Sequence, residues 1–160
     1  YLSEAFLLES ANRYDIKGKR YISTPLKYYF TDLGLRNVLL NFRQYEETHL
    51  MENAIYNELR LRGWNVDVGM VVVNSRNEQG VSQRKQLEID FVCNKGNKRC
   101  YIQSALSLPD EEKVLQEINS LQRIDDSFEK IVIVGGHAKP WINDNGIRFV
   151  NVYDFMLNDD

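Results

Sequence analysis

The side chains best suited to chemistry in this 160-residue chain are two acids and an amide, Glu52, Asp90 and Gln103. On a helical wheel of about 100° per residue, Leu50, Met51, Ala54, Ile55, Leu59 and Leu61 define an apolar arc. Glu58 lies near the middle of that arc and Glu52 at its edge, where an acid can reach a cleft. Arg62 follows Glu58 by four residues, so a partly buried ion pair is expected there. Asp90 stands between Ile89 and Phe91 in an extended stretch and points opposite to both, which favours an inward or cleft-facing carboxylate. Carboxylates held off water bind hard cations or move protons; Gln103 offers a cation only one neutral carbonyl oxygen.

These groups need elements to carry them. Residues from Phe6 to Tyr14 and from Arg20 to Ser23 read as extended, with Asp15-Ile16-Lys17-Gly18-Lys19 as the turn. Tyr28-Tyr29-Phe30 leads into Thr31-Asp32, a helix cap ahead of Leu33, Leu35, Val38 and Leu39. The next helix carries Glu52, runs to about Arg62 and stops at Gly63. Alternation at Val66, Val68, Met70 and Val72 predicts a strand, followed by a polar loop from Asn74 to Arg84. Leu87 to Cys93 and Cys100 to Ala105 form a hairpin about Lys95-Gly96. An acid-led helix from Pro109 to Leu121 comes next, then apolar strands Ile131–Val134 and Ile147–Val150, and a short helix capped by Asn151. That order predicts an α/β fold with a mixed central sheet flanked by helices.

Order and motifs together resemble the PD-(D/E)XK, or restriction-endonuclease-like, core. The run His49-Leu50-Met51-Glu52-Asn53-Ala54-Ile55-Tyr56-Asn57-Glu58-Leu59-Arg60 with Gly63-Trp64, then Glu88-Ile89-Asp90-Phe91 and Tyr101-Ile102-Gln103, is similar to an uncharacterised nuclease-like domain found behind AAA-type ATPase modules of bacteria and archaea. Thr31-Asp32-x-Gly34-Leu35-Arg36 fits the same pattern. The resemblance implies a lead-in segment, residues 1–44, joining to an upstream ATPase and winged-helix region, and a PD-(D/E)XK-like domain over 45–160. It implies that Glu52, Asp90 and Gln103 are the remnants of a catalytic site for Mg²⁺ or Mn²⁺, with Ala105 where such a site carries lysine. A glutamine and an alanine there weaken metal affinity and remove a group whose loss costs roughly 10²- to 10⁴-fold in rate. Lys113 or Glu117 could supply a replacement from the following helix; Lys95, Lys98 and Arg99 are poorer substitutes. The expected function is therefore a nucleic-acid or protein docking or regulatory module of an ATPase. The alternatives are a weak metal-dependent DNA endonuclease and a structural or oligomerising domain.

Other classes find little support. The sequence has no G-x-x-x-x-G-K-[ST], and Gly135-Gly136-His137-Ala138-Lys139 reads as a tight turn, so ATP is expected only upstream. Ser104, Ser107 and Ser120 lack a G-x-S-x-G context, and His49 and His137 cannot complete a His/Cys zinc site. Cys93 and Cys100 can face each other across a hairpin but are expected to stay reduced. Tyr28, Tyr29 and Phe30 beside Lys27 could stack on bases, although core packing is the plainer reading. No apolar run approaches a membrane span and no secretory signal is visible, so a cytoplasmic fragment is expected. The net charge of −3 is uneven: residues 13–36 hold six bases and two acids, residues 84–99 five and two, and residues 109–160 eleven acids against five bases. The two basic stretches could attract phosphate, or they could be solvated hairpin charge.

Overall fold

In the computed structural model, which describes residues 7–43, 46–76 and 82–158, short local signals set most element ends. The strands are β1 Leu8–Asp15, β2 Arg20–Phe30, β3 Asn65–Arg76, β4 Ser82–Lys95, β5 Lys98–Ala105, β6 Glu129–Val134, β7 Trp141–Ile142 and β8 Arg148–Asn151. The helices are α1 Leu33–Leu39, α2 Glu47–Leu61, α3 Glu111–Gln122 and α4 Val152–Leu157. Asp32, Asp110 and Asn151 each cap a helix through a side-chain oxygen, accepting from Leu35 N, Lys113 N and Asp154 N. Gly63, at φ +80°, takes the left-handed turn that ends α2.

Among the described residues the strands form one mixed sheet in the order β2-β1-β3-β4-β5-β6-β8-β7. The β3/β4/β5 meander is antiparallel, whereas β1/β3, β5/β6 and β6/β8 are parallel. Two apolar layers cover its faces. Ile55, Tyr56 and Leu59 of α2 pack with Tyr29, Phe91, Ile102, Ile131 and Ile133, and α4 adds Val152, Phe155 and Met156. On the other face Ile118 and Leu121 of α3 pack with Tyr101, Ala105, Val132 and Val134. This is the mixed α/β sheet flanked by helices that the element order predicts.

Two local readings change. The predicted polar loop from Asn74 to Arg84 is largely ladder, since β3 and β4 pair out to Arg76 and Ser82; residues 77–81 lie outside the described residues. Residues 28–30 belong to β2, and β7 was not foreseen, its two residues being too few for any period. The segment read as a lead-in supplies two strands of this sheet, β1 and β2; the 44/45 division falls on residues outside the description. Cys93 and Cys100 are cross-strand partners, both buried and both free. Among the described residues no helix is long and apolar enough to cross a membrane.

Candidate functional site

A bulge in β4 aims the central aspartate. Between the pairs Asp67↔Val92 and Gly69↔Ile89, β3 advances two residues while β4 advances three, so one β4 residue is extra. Side-chain alternation breaks there: Ile89 and Val92 pack in the α3 layer and Phe91 in the α2 layer. Gly69 faces the crowded spot, where an added Cβ would lie 2.8 Å from Val92 Cγ2 and 3.0 Å from Ile89 Cβ. The β4/β5 ladder ends at Phe91↔Ile102, and the Asp90 carboxylate takes over, its Oδ2 accepting from Ser104 N at 2.8 Å.

Glu52 approaches from α2. It is 8% exposed, and its Oε1 accepts from Tyr29 Oη at 2.7 Å and pairs with Lys27 Nζ at 2.7 Å. Lys27 Nζ also reaches Glu88 Oε1 at 3.0 Å, and Arg13 Nη1 holds Glu88 Oε2 at 2.6 Å. Period-2 alternation puts Lys27 and Tyr29 on one face of β2. Tyr29 stacks on Tyr56 of α2, ring centroids 4.0 Å apart and planes 12° from parallel. Asn53, buried on α2, accepts from Phe30 N at 2.9 Å and donates to Phe30 O at 2.7 Å. Helix and strand are thereby fixed in register, with Glu52 against Lys27.

The electrostatics follow from burial and proximity. Burial, then the charge of Glu52, push the Asp90 carboxyl up to about 7, against the Ser104 N–H and Lys27, which lower it. Burial alone would lower the Lys27 ammonium, but Glu52, Asp90 and Glu88 outweigh it and raise it. Glu88 is also partly desolvated, yet Lys27 and Arg13 hold its carboxyl below the usual range. Burial and Glu52 push the Tyr29 phenol far up, so it stays a donor.

Of the three residues singled out by sequence, Glu52 and Asp90 come together and Gln103 does not join them. Gln103 pairs with Val132, and both share the α3 face with Tyr101, Ala105 and Val134. Ile102 and Ser104 occupy the face of Glu52. The Gln103 Oε1 is buried without a hydrogen-bond partner among the described residues, and so is the Ser104 Oγ. Ala105 is a core residue of the α3 layer. The replacements considered on α3 are committed elsewhere: Lys113 Nζ pairs with Glu117 Oε1 at 2.6 Å. Lys95 Nζ donates to Arg62 O, and Arg99 Nε to Asn94 Oδ1. Glu58 pairs with Arg62 Nε at 2.7 Å, the partly buried ion pair that their spacing predicts.

A Mg²⁺ or Mn²⁺ ion held by Glu52, Asp90 and Gln103 does not fit this arrangement. An ammonium sits on Glu52, a backbone N–H takes one Asp90 oxygen, and the amide faces away. Among the described residues no three His, Cys, Asp or Glu side chains are grouped to hold a metal ion. Sequence reasoning missed Lys27, Arg13 and the role of Glu88. The available signal was Lys27-x-Tyr29, a charge and a phenol on one face of a strand entering the helix cap.

No family model matches the chain, and no solved structure gives a significant match. An uncharacterized protein of Haemophilus influenzae is 33% identical over 156 residues, which cover 98% of this chain. The chain spans 35% of that protein's length.

Proposed function

We propose that this domain is a PD-(D/E)XK-like module of an AAA-type ATPase that docks nucleic acid rather than cutting it. The observation that carries the reading is the cation already seated in the acid cluster: Lys27 bridges Glu52 and Glu88, and the Gln103-x-Ala105 pair lies on the opposite face of the sheet. Hydrolysis of a phosphodiester by such a fold needs a metal or an equivalent charge aimed at the phosphate. Here the positive charge is turned inward and neutralised by the protein's own carboxylates.

Docking draws support from the exposed bases. Lys17, Lys19 and Arg20 crowd the β1–β2 turn, and Arg84 and Lys85 extend along β4. The ladder Asp15↔Met70, Met70↔Glu88 and Val73↔Lys85 brings both groups to the same end of the sheet. The acid-rich last third of the chain supplies α3, β6, β8 and α4, away from that end.

The test pairs cleavage with binding. Supercoiled and branched DNA incubated with Mg²⁺ or Mn²⁺ should stay uncut, while fluorescence anisotropy should show duplex binding that weakens with salt. If the five bases each neutralise one phosphate, the log–log salt slope is about −4.5. Nicking that disappears in Asp90→Ala would replace this reading with that of a metal-dependent nuclease. Absence of DNA binding at low salt would favour a structural domain, to which the exposed Val38 and Leu39 of α1 and the following Phe42 would then belong.

A further inference from the structure

We propose that Lys27 is the built-in cation of the Glu52–Asp90 cluster, occupying the place of a divalent ion, and that its removal opens the cluster to Mg²⁺ or Mn²⁺. The Nζ lies 2.7 Å from Glu52 Oε1 and 3.0 Å from Glu88 Oε1, and its charge acts on Asp90. Glu52 is buried and Asp90 partly so, and carboxylates drawn together away from water need a compensating positive charge. A tethered ammonium meets that need at a high effective concentration, with no dehydration of a free ion. Arg13 touches Glu88 through its other oxygen and Tyr29 gives Glu52 a neutral hydrogen bond, so among the described residues Lys27 is the cation that touches Glu52.

A second observation concerns a neutral oxygen beside the acids. Ser104 is 7% exposed and its Oγ has no hydrogen-bond partner among the described residues. It lies on the face of Glu52, and its own N–H is the group that holds Asp90. An ammonium on Glu52 and Glu88 leaves this oxygen unused, whereas a divalent cation, which seeks oxygen ligands, could use a further neutral donor on the face of Glu52. The inference concerns which cation the cluster holds and stands whether or not the domain docks DNA.

Calorimetric titration of Mn²⁺ and Mg²⁺ into wild type, Lys27→Met and Lys27→Met/Asp90→Asn tests it, with circular dichroism to follow folding. Wild type should give no saturable heat at millimolar metal. The single variant should bind in the ~10⁻⁴ to 10⁻³ M range, the weak end for oxygen-ligand sites, and the double variant should lose that binding. Equal binding by wild type and Lys27→Met would overturn the proposal, since the ammonium would then not compete. A folded Lys27→Met that ignores metal would overturn it too. Should Lys27→Met fail to fold, added Mn²⁺ should restore its dichroism signal and melting transition; no rescue by metal would equally count against the inference.

Discussion

Replacing Asp90 with asparagine should raise stability at neutral pH and flatten its dependence on pH. The Asp90 carboxyl stands at about 7 in the folded protein against an ordinary 3.8, with burial as the largest cause and Glu52 next. Between those values the folded state holds a proton that the unfolded chain has released. The stability that this one group contributes is therefore fullest below about 4 and is lost as pH rises through about 7. At about 1.4 kcal/mol per unit the displacement corresponds to about 4 kcal/mol, an upper bound because the surrounding charges and solvent relax around the ionised form. Asparagine has the same shape, still accepts from Ser104 N through Oδ1, and carries no charge in either state. The lowered carboxyl of Glu88 acts below its ordinary 4.5 and the raised ammonium of Lys27 above 10.5, outside this window. Asp67, also raised by burial, acts within it, so the informative quantity is the difference between variant and wild type. Urea unfolding at pH 5 and pH 8 should show wild type losing up to about 2.5 kcal/mol and the variant less than half of that. Equal losses in the two proteins would refute burial of Asp90 as the source. A variant weaker than wild type at pH 8 would mean that attraction to Lys27 exceeds the desolvation cost.

Other perturbations separate the parts of the site. Tyr29→Phe removes the neutral donor to Glu52 and should cost about 1–3 kcal/mol in chemical unfolding, with a smaller effect if Lys27 alone satisfies that oxygen. Asn53→Ala leaves Phe30 N without its helix partner and should cost a similar ~2 kcal/mol; an unchanged urea midpoint would show that water replaces the amide. Gly69→Ala places a methyl against Val92 and Ile89 beside the bulge and should destabilise by about 1–3 kcal/mol, a prediction that a neutral result would sink. Introducing an acid and a lysine as Gln103→Glu/Ala105→Lys should not create nuclease activity, because both positions face α3, and should lower the melting temperature by burying a lysine in the core. Metal-dependent cleavage by that double variant would show that the facing derived from strand alternation is wrong.

Where signals are local, sequence and structure agree. Asp32 and Asn151 precede their helices as caps, acids open α3, Gly63 ends α2, and the apolar run Ile131–Val134 is a strand buried on both faces. The Glu58–Arg62 pair was legible for the same reason, being four residues apart on one helix. The site was legible only in its acids. Lys27 lies 25 positions before Glu52, and nothing in the residues between them specifies that the first strand pair of the chain will fold against α2. Nor does alternation announce where it will fail. From Leu87 to Cys93 the pattern reads as a continuous strand, and only the ladder with β3, where Gly69 makes room, shows the extra residue that turns Asp90 toward Glu52. Gln103 was misplaced by the same limit: its position in a motif fixes its order in the chain, but its parallel pairing with Val132 decides the face on which it lies.

The amide of Asn53 has a consequence for how this sheet meets its surroundings. Phe30 stands opposite Leu8, and Thr31 N reaches Leu7 O across the ladder, so the N–H and C=O of Phe30 itself point outward along the free edge of β2. Asn53 presents one acceptor and one donor side by side and meets both groups, as the backbone of a neighbouring strand would. At this one residue the helix imitates the next strand. The edge is closed there without a ninth strand, so an incoming chain seeking to extend the sheet along β2 would find its last rung taken.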